Sequence, residues 1–454
     1  MKIQIVDGYV LLPNGIRKTG VEVVDGRITA IGRFKKDPKA VRVVASRQYV
    51  LPGFIDVHVN GTAGFDLTNG AFHSSTGRFS RQPHQYERGL ESALNSFASN
   101  GTTLVGFTIL EAPDERLKRI LRMIANYREN AETFHNDMIF GIYLEGTFMR
   151  EKQFRGAHNP SYFRTPSVRF FKELQRAAKG NIRIVNVVPE WGKPALELIQ
   201  YLTSQGIIVA TGHSGANGVQ YQSAIEKGSS LAIHVMNGPS SSSPKSFNDG
   251  GVLETLLRSN HVYAEIIADG IHVDKRYVRD IIERKGIDKS VVITDSMFVG
   301  GMEGVKNFQV SGIKGRVSAD GLYLQIEDRG DALFGSVLTM DRAFQNVMNW
   351  MMTSMCGVWH RQHNSCTFEE ALFDASQLCS ATPAKALGIY DPSSKNHGHN
   401  LSYGTGDIAV GKRGDLVLAS IHQRRSRIRL TVNRTIVNGH LVHRHGKALP
   451  PLVN

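Results

Sequence analysis

Cysteine is scarce: Cys356, Cys366 and Cys379 are the three in 454 residues, all in the C-terminal third, so no disulfide framework organises the chain. Long apolar runs are also missing, and none approaches the roughly 18 residues needed to span a bilayer. The N-terminus, Met1-Lys2-Ile3-Gln4-Ile5-Val6-Asp7-Gly8, meets an acidic residue and a turn before a signal-type block forms, so a cytoplasmic protein is expected. Acidic residues stop at Asp415, beyond which Arg424, Arg425, Arg427, Arg429, Arg434 and Arg444 crowd the tail of a chain of net charge +13. That surplus invites a nucleic-acid reading. However, the arginines alternate with Ile428, Leu430 and Val432, as on a strand with one solvated face, and no aromatic platform accompanies them. A solvated basic strand is expected, with a mild pull on anionic substrates and neither nucleic acid nor membrane as partner.

What is present is ordinary soluble composition, 41% apolar and 21% charged, with length for one barrel and a smaller domain. The two ends look alike. Lys2–Val6, Val21–Val24, Arg27–Ile31 and Val41–Val44 alternate apolar and polar around Asn14-Gly15 and Asp25-Gly26 turns. Asp415–Ser420 and Arg427–Val432 do the same before an Asn438-Gly439 turn. One small β-sandwich built from both termini, residues 1–51 and 406–454, is the economical reading. Between them, in 52–405, eight buried-strand runs recur: Phe54–His58, Thr103–Ile109, Ile139–Glu145, Ile182–Val188, Ile207–Thr211, Leu231–Val235, Val262–Ile267 and Val291–Thr294. Most precede a helix-period segment, of which Asp114–Asn130 is the plainest, with Leu117, Ile120, Leu121, Ile124 and Ala125 on one face. Eight such units imply a (β/α)8 TIM-type barrel; the alternative, a doubly wound open sheet, lacks a glycine-rich fingerprint after the first strand.

In a parallel barrel the active site forms at the carboxyl ends of the strands. Those ends carry His58, Glu145, His213, His234 and Asp295, after strands one, three, five, six and eight. A single histidine there is unremarkable; five metal-competent groups at one end of five strands point to a metal site. Two imidazoles and a carboxylate with an open position match a catalytic zinc, which acidifies bound water and polarises a carbonyl. Asp295 is the candidate proton carrier, because strand eight closes the ring beside strand one.

The runs Leu51-Pro52-Gly53-Phe54-Ile55-Asp56-Val57-His58, Leu144-Glu145-Gly146, Arg155-Gly156-Ala157-His158-Asn159-Pro160, Gly212-His213-Ser214, His234-Val235-Met236-Asn237, Ala268-Asp269-Gly270-Ile271-His272, Ile293-Thr294-Asp295-Ser296-Met297 and Gly335-Ser336-Val337-Leu338-Thr339-Met340-Asp341 occur in order along nearly the whole chain. Together they resemble the N-acetylglucosamine-6-phosphate deacetylase family of the amidohydrolase superfamily. The resemblance implies a metal-dependent hydrolase that removes the acetyl group of an N-acetyl amino sugar as a homodimer. It implies that Glu145, His213 and His234 bind the metal, that Asp295 is the acid/base, and that His158 polarises the acetamide carbonyl. Ala157, Asn237, Gly238, His272 and the Leu333-Phe334-Gly335 turn correspond to sugar and phosphate contacts.

Two positions depart from the family pattern. Asn60 follows His58 where the superfamily often has a second histidine; asparagine is a poor transition-metal ligand, so one tight divalent site is expected, with His58 the candidate for a second. The loop 238–251 carries no arginine where the family usually has one reaching a neighbouring subunit's substrate phosphate, and Lys245 is its only cation. An unphosphorylated or epimeric N-acetyl hexosamine is the alternative substrate. A binuclear cyclic amidase, a further alternative, would want a lysine near Val188-Pro189-Glu190, and none is there. A catalytically silent barrel binding RNA or protein would not need the intact ligand set. Cys356, His360, His363 and Cys366 superficially suggest a structural zinc, but their spacing fits no standard finger. Ser240–Ser243 reads as a mobile loop over the site, and 391–405 as a surface excursion.

Overall fold

Apolar runs of four to seven residues are buried on both faces in a parallel sheet covered by helices, and the eight runs do this. In the computed structural model, which describes residues 1–130, 134–238, 241–391, 404–424 and 427–446, they form Phe54–Val59, Thr102–Ile109, Ile139–Phe148, Ile182–Val187, Ile208–Thr211, Ser229–Ala232, Tyr263–Ile267 and Ser290–Ile293. Each pairs in parallel with the next in chain order. The ring closes just beyond strand eight: the Asp295 N–H donates to the His58 carbonyl at 3.0 Å and the Asn60 N–H to the Ser296 carbonyl at 2.8 Å.

Each barrel strand is followed by a helix, from Pro83–Ser99 after the first to Met340–Met351 after the eighth. The helix Asp114–Asn130 buries Leu117, Ile120, Leu121, Ile124 and Ala125, the face expected from its spacing. Acidic Asp114 and Glu115 at its start and Arg128 at its end complement the helix dipole. No described helix is long and apolar enough to cross a membrane.

The termini form one eight-stranded sheet, with Leu416–Arg424 pairing antiparallel to Tyr49–Pro52 and to Arg427–Val437. A bulge in Lys2–Leu12 between Ile5 and Gly8 lets that strand pair with Val41–Val44 on one stretch and Tyr49–Pro52 on the next. Alternate residues of the sheet, among them Ile5, Val21, Val50, Leu418 and Ile436, close around a core of their own, so the two halves of the sandwich are one hydrogen-bonded sheet. The Asp25-Gly26 and Asn438-Gly439 turns both have positive φ at both positions, and they pack so closely that a Cβ on Gly439 would sit 3.0 Å from Gly26 Cα. On the basic strand Arg427 and Arg429 are exposed and Ile428, Leu430 and Val432 buried, the alternation expected of it.

Two insertions were not anticipated. Residues 61–80 hold a four-stranded sheet after barrel strand one, and Asn307–Val310, Ile313–Val317 and Leu324–Ile326 form a three-stranded flap after strand eight. Phe72, Phe298, Phe308 and Phe334 bind the two insertions together in a separate apolar cluster at the catalytic end of the barrel. Of the serine run, Ser240 lies outside the described residues; the Ser241 N–H donates to the Ser214 carbonyl at 3.0 Å. The expected excursion at 391–405 falls mostly on 392–403, also outside the described residues.

Candidate active site

The chain must turn sharply as it leaves each strand if the next side chain is to face the barrel mouth. It does so with left-handed backbone at His213 (φ 54°), His234 (φ 21°) and Asp295 (φ 51°). For non-glycine residues this conformation costs on the order of 1–3 kcal/mol each, and such strain concentrates at functional sites.

His213 and His234 converge with His58 and His158 on the buried carboxylate of Glu145, from strand three, and Asp295 Oδ1 lies 3.6 Å from His58 Nε2. His58 Nε2 lies 3.3 Å from Glu145 Oε2, while the Nε2 atoms of His234, His213 and His158 lie 3.3, 3.6 and 3.7 Å from Oε1. Three of these rings are held from behind through Nδ1. His58 meets Glu265 Oε2 at 3.0 Å, His213 the Phe154 carbonyl at 2.8 Å, and His158 Glu111 Oε2 at 2.5 Å. With Nδ1 donating to these acceptors, a neutral ring presents its bare Nε2 lone pair to the carboxylate. Lone pair facing lone pair is unfavourable, and a positive charge among them, proton or metal, resolves it. His58 Nε2 is buried without a hydrogen-bond partner, as is His234 Nδ1. The donor set therefore fits a divalent cation: His58, Glu145 and His234 form one ligand-competent group and Glu145, His158 and His213 another, sharing the carboxylate.

The electrostatics follow from this crowding. Burial opposes the charge of Glu145, but the imidazoles of His58 and His158 outweigh it and hold the carboxyl well below its usual range. Burial likewise opposes charge on His158, and the carboxylates of Glu111 and Glu145 overcome it, pushing its pKa up to about 10. At His213 burial wins, aided by the neighbouring His158 and His234, and the ring is held well below the ordinary value, in the neutral form that ligates metals. Asp295 is pushed up by burial, and its Oδ1 accepts from the Asn60 amide at 2.6 Å.

A cleft of about 340 Å³ opens over this cluster. It is lined by Glu145, His158, His213, His234 and Asp295 and by the expected Ala157, Asn237, His272, Leu333, Phe334 and Gly335. His58 is buried beneath them. Gly238 sits at the turn after His234, its N–H donating to the His234 carbonyl at 3.0 Å; a Cβ there would meet the His234 ring at 2.6 Å. Lys245 is exposed at the start of the turn Ser246–Asn248 and is not among the lining residues. Asn60, weighed in the sequence as a poor ligand, instead orients Asp295. Sequence reasoning missed Glu111 and Glu265, which hold the His158 and His58 rings, and Arg329, which lines the cleft from the flap side. Glu111 stands two residues past strand two, where the same strand-end logic could have found it, whereas Glu265 lies in the middle of strand seven.

Away from the cleft, His360 and His363 turn onto Asp280 at 3.2 and 2.6 Å, so the Cys-His-His-Cys run does not assemble around sulfur. Asp280 also accepts from the Val358 and Trp359 N–H groups, each at 2.7 Å, so the cluster ties a loop to the helix Lys275–Lys285. Among the described residues, no cysteine joins a metal-competent group.

A closed parallel barrel with a histidine-ringed carboxylate at its mouth defines a hydrolase of the metal-dependent amidohydrolase kind. The amidohydrolase family profile matches residues 49–442, and the chain belongs to that family. It is 29% identical over 428 residues, 92% of each chain, to the N-acetylglucosamine-6-phosphate deacetylase of Bacillus subtilis. It is 28% identical to the enzyme of that name from Vibrio furnissii, over 92% of this chain and 89% of that one. Among solved structures, the fold matches N-acetyl-D-glucosamine-6-phosphate deacetylase from Mycobacterium smegmatis, with a TM-score of 0.75 at 23% identity over 97% of this chain and 100% of that one. The enzyme from Pasteurella multocida matches with the same score and identity, over 97% of this chain and 99% of that one.

Proposed function

We propose that the protein is a metal-dependent deacetylase converting N-acetylglucosamine 6-phosphate and water to glucosamine 6-phosphate and acetate. The observation that carries the reading is the Glu145 carboxylate ringed by four imidazole nitrogens at 3.3–3.7 Å, in a chain similar over its length to deacetylases of that name. Glu145, His213 and His234 would hold one divalent ion, zinc by the chemistry of two imidazoles and a carboxylate, with His58 the candidate ligand for a second. When bound, the ion acidifies water and polarises the amide carbonyl.

The chain's own residues do the rest. His158, fixed through Nδ1 by Glu111, is oriented to donate from Nε2 to the acetamide oxygen and stabilise the charge that develops there. Asp295 takes the proton of the attacking water and delivers it to the sugar nitrogen as the C–N bond breaks. The Asn60 amide on Oδ1 leaves Oδ2 free for that proton. Asn237, Ala157 and the Leu333-Phe334-Gly335 turn frame the sugar, with Gly238 keeping the turn after His234 small, and His272 faces its far end. Lys245 is exposed and does not line the cleft of its own chain.

Replacing Asp295 by asparagine keeps the shape and removes the proton carrier, a step worth about 10²- to 10⁴-fold. Asp295→Asn is expected to lose kcat by that factor in an acetate-release assay while elemental analysis shows its metal retained. Near-normal kcat would mean another group carries the proton.

A further inference from the structure

Arg329 follows the last flap strand, Leu324–Ile326, and lines the same cleft as Glu145, Asn237 and His272. Its Nη1 donates to the Gly156 carbonyl, in the loop that carries His158, which fixes the guanidinium at the cleft wall. Among the described residues it pairs with no carboxylate, although Asp331 lines the same cleft. Arg155, one residue before Gly156, has its Nε buried without a partner. Burial and the charge of Arg155 both push the Arg329 pKa down, as befits like charges side by side. On the lining of the same cleft, His272 is held through Nδ1 by Asp269 at 2.6 Å, and its Nε2 is buried with no partner. A guanidinium and an imidazole Nε2 without a partner, on the lining of one cleft that takes a small molecule, are an arrangement that a bound anion completes.

We infer that Arg329, backed by Arg155 and sharing the cleft with His272, recognises the phosphate monoester of the substrate. Specificity for phosphorylated over neutral amino sugars is then set within one chain, by the flap. The inference rests on the deacetylase reading above and names the residue that reads the substrate's anionic end. A guanidinium fork suits a phosphate better than a lysine does, because two parallel N–H groups meet two oxygens.

The test compares acetate release from N-acetylglucosamine 6-phosphate and N-acetylglucosamine by wild type, Arg329→Ala and Arg329→Lys. Calorimetric titration of glucosamine 6-phosphate and of glucosamine into each metal-loaded protein accompanies it. Arg329→Ala is expected to raise KM for the phosphorylated sugar about 10- to 100-fold more than for the neutral one, with a smaller change in kcat. Glucosamine 6-phosphate binding should weaken by the same factor, and Arg329→Lys should recover part of both, having the charge without the fork. Equal losses on both sugars would mark a structural effect through Gly156 and overturn the assignment, as would an undiminished preference for the phosphorylated sugar in Arg329→Ala. If wild type releases acetate from neither sugar, the deacetylase reading fails and calorimetry still decides Arg329. Sugar-phosphate binding that is absent in wild type, or unchanged in Arg329→Ala, would refute its role.

Discussion

Glu111 and Glu265 do not line the cleft, yet each fixes the ring of a histidine that faces Glu145. A carboxylate behind an imidazole selects the tautomer and the ring angle, and removing such a partner typically costs about 10- to 100-fold in activity or metal affinity. Glu111→Gln should therefore lower kcat by roughly that factor. Its metal content should be normal if His158 is a carbonyl-polarising group rather than a ligand. Steady-state acetate release with elemental analysis separates the two, and a Gln variant of unchanged kcat would remove Glu111 from the account. Of the residues that line the cleft, Glu145, His213, His234 and Asp295 could be picked out in the sequence because they stand at strand ends, whereas Ala157, His158, Asn237, His272 and the Leu333-Phe334-Gly335 turn came from the family resemblance. Asn60 was legible only as a non-ligand, because its partner, Asp295, lies 235 positions away.

At the scale of elements, all eight barrel strands and the helix Asp114–Asn130 could be read from apolar runs and periodicity, since burial on two faces leaves an unbroken apolar stretch. The two β insertions could not. Their strands are two to five residues long, too short for a period to emerge, and their shared phenylalanine cluster is assembled from segments more than two hundred residues apart. Arg329 was missed for the same reason: its position depends on a flap that has no sequence signature. The strand ends themselves leave little room. Gly146 has φ +84°, and a Cβ on it would lie 2.1 Å from Glu111 Oε2 and 2.7 Å from His158 Nδ1. Gly146→Ala should thus split the Glu111–His158 pair and reduce kcat at least as far as Glu111→Gln does, with the far-ultraviolet circular dichroism unchanged. Wild-type kcat in that variant would show that the pair can shift without cost.

For the molecule as a whole, the terminal sheet and the barrel meet around residues 135–138. Buried Arg413 donates to the Asp137 carbonyl at 2.6 Å, and the Asn438 amide to Asp137 Oδ2 at 3.1 Å. His135, buried in the same turn with Nε2 3.0 Å from Asn95 Oδ1, is pushed down to about 4 by burial. An unfolded chain takes up this proton near pH 6.5 and the folded one not until about 4, so folding loses up to about 1.4 kcal/mol per pH unit across that window and nothing above it. Asp56 and Asp66, pushed up by burial to about 7 and about 6, titrate nearby with the opposite sign, so a comparison with His135→Gln isolates the histidine. Denaturant melts should show His135→Gln gaining on wild type as pH falls from about 6.5 to 4; a constant difference would mean His135 is charged in the fold. The central claim, that the histidine-ringed Glu145 holds a metal needed for deacetylation, is tested most directly by stripping the protein with a chelator and measuring acetate released from N-acetylglucosamine 6-phosphate before and after zinc is returned. Release that vanishes and then recovers is expected for wild type, with recovery abolished in His213→Ala and His234→Ala; full release from the stripped protein would contradict it.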